Sequence, residues 1–184
     1  MGKITYGFNV SLDGFIEDPT GNFDWSEPDE ALHRHFNESE RNTGLHLYGC
    51  GLYEMMRFWG NPDQHGPLSE YEREFASYWQ KVPTIVYSRT LRDADPGVRI
   101  VREVDPTKVA RLKESTEGEL SLGGASLAAE FRRLSLIDEY CVYVVPILVG
   151  GGKPMFQGEG TQRLRLLETH QFDSGTTLLR YERA

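Results

Sequence analysis

Five consecutive residues, Gly123-Gly124-Ala125-Ser126-Leu127, have the types and order that could hold a phosphate. Glu119 to Leu122 reads as the end of a strand and Ala125 to Leu134 as a helix, so the glycine pair sits where one becomes the other. Glycine turns sharply and has no Cβ to keep a ligand away. The first turn of a helix supplies unpaired N–H groups and the positive end of its dipole. The same pair also suits a plain tight turn, and local sequence leaves both open. His33 could deliver a proton near neutral pH, or could simply be solvated on a charged helix. His35, His46, His65 and His170 show no metal-ligand spacing, so no metal is expected. Gly150-Gly151-Gly152 invites a second phosphate-loop reading, with a flexible turn preferred.

These residues need elements to position them. Ile4, Tyr6, Phe8 and Val10 alternate with Lys3, Thr5, Gly7 and Asn9, which predicts a strand with one buried face. Ser11 to Glu27 is a long connection containing Gly14, Pro19 and Gly21. Ser26 and Pro28 predict the next helix start, with Leu32, His35, Phe36 and Ser39 on one face. Leu45 to Tyr48 is a short strand, and Leu52, Met55, Met56 and Trp59 have helical spacing. Asn61 to Leu68 is a polar loop, and Ser69 with Glu72 predicts a capping box before Tyr71, Phe75, Tyr78 and Trp79. Met55, Met56, Trp59, Phe75 and Trp79 are expected in the core. Strands follow at Thr84 to Ser88 and Val98 to Arg102, then a helix from Asp105-Pro106 ending near Gly118. A long apolar strand from Glu139 to Val149 precedes the triple glycine. Two arms, Arg163 to Phe172 and Thr176 to Glu182, close a hairpin about Asp173-Ser174-Gly175. The alternation predicts an α/β three-layer sandwich, its sheet mixed but mainly parallel, ending in an antiparallel hairpin.

At 184 residues with 39% hydrophobic content, one domain spanning 1–184 with a substantial core is expected. The net charge of −8 argues against nucleic acid as a partner. No apolar run is long enough for a membrane helix, and no signal peptide is visible, so no membrane and a cytoplasmic setting are expected. Cys50 and Cys141 lack paired spacing and are expected as reduced thiols.

Four segments together resemble the dihydrofolate reductase-like superfamily, in particular the reductase domain of the bifunctional riboflavin-biosynthesis enzyme. They are Val10-Ser11-Leu12-Asp13-Gly14-Phe15-Ile16 with Asp24-Trp25 downstream, Leu47 to Met56, Leu122 to Leu127, and Leu136-Ile137-Asp138-Glu139 continuing through Val145 to Val149 to Gly150 to Phe156. The resemblance covers nearly the whole chain. It implies a homodimeric reductase, similar to 5-amino-6-(5-phosphoribosylamino)uracil reductase, that uses NADPH or NADH on a small-molecule substrate. It places Gly123 and Gly124 under the cofactor pyrophosphate, with Ala125, Ser126 and Leu127 donating N–H groups. It places Gly49, Cys50, Gly51 and Leu52 at the cofactor phosphates, and Ser88 and Arg89 at the adenosine ribose and its 2′-phosphate. Val10 and Ile16 would cover the nicotinamide. Asn9, Ser11, Asp13 and Trp25 would meet the substrate, with Asp13 the first choice of carboxylate, although Asp13-Gly14 is also a common turn pair.

The second segment departs from the pattern. The family's usual arginine is Cys50 here, and its usual threonine is Leu52. A thiol cannot make the bidentate, charge-assisted contacts of arginine. Two functions from different classes therefore stand: an NAD(P)H-dependent reductase of a small heterocycle such as a pyrimidine or pterin, or a non-catalytic dinucleotide- or heterocycle-binding protein.

Overall fold

The computed structural model describes residues 1–62 and 66–184. Part of the expected loop Asn61 to Leu68, and His65 with it, lies outside the described residues. The strands are β1 (Ile4–Ser11), β2 (Phe15–Glu17), β3 (Thr43–Gly49), β4 (Thr84–Tyr87), β5 (Arg99–Val101), β6 (Glu119–Gly123), β7 (Glu139–Val145), β8 (Lys153–Pro154), β9 (Leu164–Gln171) and β10 (Thr177–Arg183). The helices are α1 (Glu30–Arg41), α2 (Cys50–Met56), α3 (Glu70–Trp79), α4 (Pro106–Ser115) and α5 (Ala125–Arg133).

One sheet has the order β5-β4-β3-β6-β1-β7-β10-β9. From β5 through β7 every neighbouring pair is parallel, whereas β10 runs antiparallel to both β7 and β9. This is the mixed, mainly parallel sheet with a terminal hairpin that the alternation predicts. Period-two alternation divides its two faces. Ile4, Tyr6 and Val10 of β1 join Leu45, Leu47, Leu120, Leu122, Ala128 and Phe131 in the main core, with Val109 of α4. Phe36 of α1 packs on the opposite face with Leu32, Tyr143 and Leu178. Parallel strands need crossovers, and the helices covering the two faces supply them.

Three boundaries differ from the sequence expectation. The first helix starts at Glu30, capped by Asp29, whose side chain accepts from the Leu32 N–H at 2.8 Å. Ser26 instead closes a 3₁₀ turn and donates to the Phe23 carbonyl. The seventh strand stops at Val145, because Pro146 has no N–H to continue a ladder. The connection after β1 contains the three-residue β2, which pairs with β8 and is too short to show a period.

A buried ion cluster ties β7 to its neighbours. Glu139, with its side chain 2% exposed, accepts from Lys3 at 2.5 Å and from Arg180 at 2.7 Å. Burial alone would raise its pKa; the Lys3 and Arg180 hydrogen bonds outweigh that and hold it below the usual carboxylate value. Its contribution is therefore present above the unfolded pKa and is lost as pH falls through the folded one. Glu139→Gln should destabilise the protein by roughly 2 kcal/mol at pH 7, less than a fully buried pair because both cations keep contact with water. Urea denaturation at pH 7 and pH 3 checks this, and the gap from the parent should narrow in acid.

Candidate functional site: a cleft between two glycine turns and the α1 face

Two strand-to-helix turns meet at the carboxyl ends of two adjacent parallel strands in the middle of the sheet. β3 leads through Gly49 into α2, and β6 leads through Gly124 into α5. Gly124 has φ +105°, which favours glycine. A Cβ there would lie 3.4 Å from both Cα and N of Gly49. The two turns are thus pressed together, backbone against backbone. The first helical hydrogen bond of α5 runs from the Ala128 N–H to the Gly124 carbonyl at 2.9 Å, so the N–H groups of Ala125, Ser126 and Leu127 precede the ladder. Cys50 begins α2, its Sγ 3.7 Å from Glu54. Leu52 leans over Gly123, where an added Cβ would come within 1.9 Å of Leu52 Cδ2.

These turns open into a cleft of about 540 Å³ that continues along the sheet beneath α1. Gly51, Leu52, Gly123, Gly124, Ala125 and Ile16 line it at the glycine end. Asn9, Tyr143, His35 and Phe36 line its middle, and Gly7, Cys141, Arg180, Glu119 and Glu168 its far floor. Met55, expected in the core, is 42% exposed and lines the cleft with Met56 and Phe75.

The remaining expected residues fall elsewhere. Asp13 does not line the cleft. Its carboxylate accepts from the Ser11 hydroxyl at 2.6 Å and from the N–H groups of Gly150 and Val149 at 2.8 and 3.2 Å. The Ser11 hydroxyl first, then those two N–H groups, hold its pKa below the ordinary value. Asp13 thus stitches the turn after β1 to the glycine run after β7, which is turn chemistry. Ser11 is buried, and its Oγ also accepts from the Phe15 N–H at 3.0 Å. Trp25 donates to the Asn22 carbonyl within its own loop. Val10 lies in the main core.

His33 is buried among Trp59, Tyr71 and Phe75. It meets Asn37 Oδ1 at 3.1 Å, and the Asn37 amide donates to the Tyr71 carbonyl and to Glu74. Burial lowers its pKa and favours the neutral ring. It joins α1 to α3 and is absent from the cleft lining, so the expectation of a proton donor there does not fit its position. Among the described residues, the histidine that lines the cleft is His35, with Nε2 3.1 Å from the Tyr143 hydroxyl. Spacing offered a signal for it, since Leu32, His35, Phe36 and Ser39 share one helical face.

Ser88 and Arg89 follow β4. Ser88 Oγ accepts from the Leu91 and Thr90 N–H groups, and Arg102 donates to the carbonyls of Ser88 and Leu91 at 2.9 and 2.6 Å. Arg102 therefore braces the loop that carries the exposed Arg89, a positioning role no local motif advertised. Cys50 and Cys141 are free thiols. Among the described residues there is no cluster that could hold a metal and no helix long and apolar enough to cross a membrane.

The sheet order and paired glycine turns define a dihydrofolate reductase-like fold. Dihydrofolate reductase from Enterococcus faecalis, complexed with NADP(H) and RAB-propyl, superposes with a TM-score of 0.63 at 14% identity, covering 99% of this chain and 96% of that one. A candidate riboflavin biosynthesis protein from Shewanella sp. PV-4 superposes with a TM-score of 0.77 at 24% identity, covering 100% and 99%. Within that fold, residues 2–178 match the RibD C-terminal domain, and the chain belongs to that family. It is 30% identical to the uncharacterized protein YyaP of Bacillus subtilis (strain 168), over 97% of this chain and 94% of the relative.

Proposed function

We propose that the chain, as one domain, is an NAD(P)H-dependent reductase that passes a hydride to a small heterocycle such as a pyrimidine or pterin. The observation that carries this is the Gly49–Gly124 contact opening onto the cleft: a Cβ at Gly124 would sit against the backbone of Gly49. That cradle fits a pyrophosphate, with N–H groups of Ala125, Ser126 and Leu127 free to donate. When bound, the nicotinamide supplies the hydride. Ile16 would cover the ring, Asn9 and Phe36 would orient the substrate at close range, and His35 with Tyr143 would hold the proton. Membership of the RibD C-terminal family and a neighbour bound to NADP(H) support the reading. The proposal extends to a cytoplasmic homodimer, by resemblance.

Cys50 and Leu52 favour a second reading, a binding protein that kept the fold and lost cofactor-phosphate ligands. Titration of NADPH and NADH by intrinsic tryptophan fluorescence, followed by NADPH absorbance with pyrimidine, pterin and flavin-precursor substrates, separates the two. Saturable binding with stoichiometric loss of absorbance is expected. Binding without turnover on every class would favour the second reading, and no binding would end both.

A further inference from the structure

The cleft is electrically lopsided. Its glycine end is lined by backbone and apolar side chains with the Glu17–Lys153 pair beside Ile16, whereas unmatched charge lies on the far floor. There Gly7, Cys141, Arg180 and Glu168 stand in register across β1, β7, β10 and β9. Arg180 is already engaged: its guanidinium lies 2.6 Å from Glu139 and 3.5 Å from Glu119. Lys153, the other lysine or arginine among the described lining residues, is tied to Glu17 at 2.8 Å. Of four lining carboxylates, Glu17 is held by Lys153, Glu40 by His46 at 2.7 Å and Glu119 by Arg180, which leaves Glu168. The Glu168 side chain is exposed and makes no hydrogen bond or ion pair among the described residues, although its charge reaches His35. A separate observation points the same way. Asn9 Nδ2 donates to the Ser26 carbonyl at 2.8 Å, but Asn9 Oδ1 is buried without a partner. Away from the glycine end, the capacity left over at Asn9 and Glu168 is hydrogen-bond acceptor and negative charge.

We infer that the substrate end of the cleft takes a neutral or cationic ring compound rich in N–H donors and turns away its phosphorylated counterpart. The inference rests on the reductase reading and names its substrate class. A ring N–H set on Asn9 Oδ1 removes the penalty of a buried, unmet acceptor. A phosphate on the far floor would meet, in Arg180, a charge already matched by Glu139 and Glu119, would sit beside Glu168, and would find no unpaired lysine or arginine among the described lining residues. Discrimination here is by repulsion as much as by attraction.

Cys141 reports on this floor without any substrate. Burial pushes its thiol up to about 12, which slows every thiol reagent alike and leaves the ratio between reagents to measure charge. The full chain is treated with cationic trimethylammonioethyl or anionic sulfonatoethyl methanethiosulfonate. Modification of Cys141 is followed by peptide mass spectrometry, with rates normalised to glutathione. The cationic reagent should react about tenfold faster at low salt, with the ratio falling toward one in high salt. Glu168→Gln, a change at an exposed position, should shrink the ratio several-fold. A ratio at or below one, a ratio indifferent to Glu168→Gln, or no modification by either reagent overturns the inference. In turnover assays, 5-amino-6-ribosylaminouracil should be used at least about tenfold more efficiently than its 5′-phosphate. The reverse order would sink the substrate class and leave the reductase reading intact. Failure to bind NADPH would sink the reductase reading and leave the labelling result standing.

Discussion

Gly124→Val should weaken NADPH binding by about a hundredfold while the chain stays folded. Two effects add. The backbone at φ +105° strains any residue with a Cβ, at roughly 1–3 kcal/mol of stability. The Cβ would lie 3.4 Å from the Gly49 backbone, and the larger valine side chain would force the two turns apart. A diphosphate would then be held off the N–H groups of Ala125, Ser126 and Leu127. Losing about two charge-assisted hydrogen bonds amounts to roughly 3 kcal/mol or more, hence the hundredfold. Gly160→Val separates strain from blocking: Gly160 has φ +97° with open space around it, so it should lose stability and keep its cofactor affinity. Thermal melts and fluorescence titrations of both variants make the comparison. A folded Gly124→Val protein that binds NADPH as tightly as its parent would remove the cradle from the argument.

The strand-to-helix junction at Gly124 was legible because its signal is local. A strand pattern, two glycines and a helix pattern sit within a dozen residues, and the strain at Gly124 follows from that junction. The capping box at Ser69 and Glu72 and the hairpin turn at Asp173 to Gly175 were legible for the same reason. The floor of the cleft was not. Gly7, Cys141, Arg180 and Glu168 come from strands brought together only by long-range register, and no stretch of sequence displays that row. His33 and His35 show the limit of local reasoning on one helix. Two positions apart is a rotation of about 200°, so one ring packs against α3 and the other faces the cleft. The acid that the resemblance put first, Asp13, serves instead the turn that its Asp-Gly pair suggested locally, where the short side chain reaches the N–H groups of Val149 and Gly150. Ile147-Leu148-Val149 looked like strand because apolar type alone does not register the ladder break at Pro146, and Leu148 is in fact 69% exposed.

Cofactor choice gives the second large effect. Arg89→Ala should weaken NADPH binding about tenfold to a hundredfold and leave NADH binding nearly unchanged. A 2′-phosphate carries close to two negative charges, and a lost charged hydrogen bond is worth roughly 1.5–3 kcal/mol. The family's usual arginine is Cys50 here, whose thiol lies 3.7 Å from Glu54. Arg89 is exposed, and its charge reaches Glu130, but it sits on a braced loop: Arg102 holds Ser88 and Leu91, while Tyr53 and Arg57 both bond to Asp95 farther along. A braced base lets a long, exposed cation meet a phosphate at lower entropic cost. Cys50→Arg should add preference for NADPH by a similar factor, reduced by whatever share of the new guanidinium Glu54 captures one helical turn away. Titrations with both cofactors on Arg89→Ala, Cys50→Arg and the double variant test the assignment. If Arg89→Ala weakens the two cofactors equally, or neither, the 2′-phosphate is read by other groups. If Cys50→Arg restores NADPH preference in the double variant, the start of α2 and the loop after β4 face the same phosphate from two sides, and the cysteine accounts for the shift of that task to Arg89.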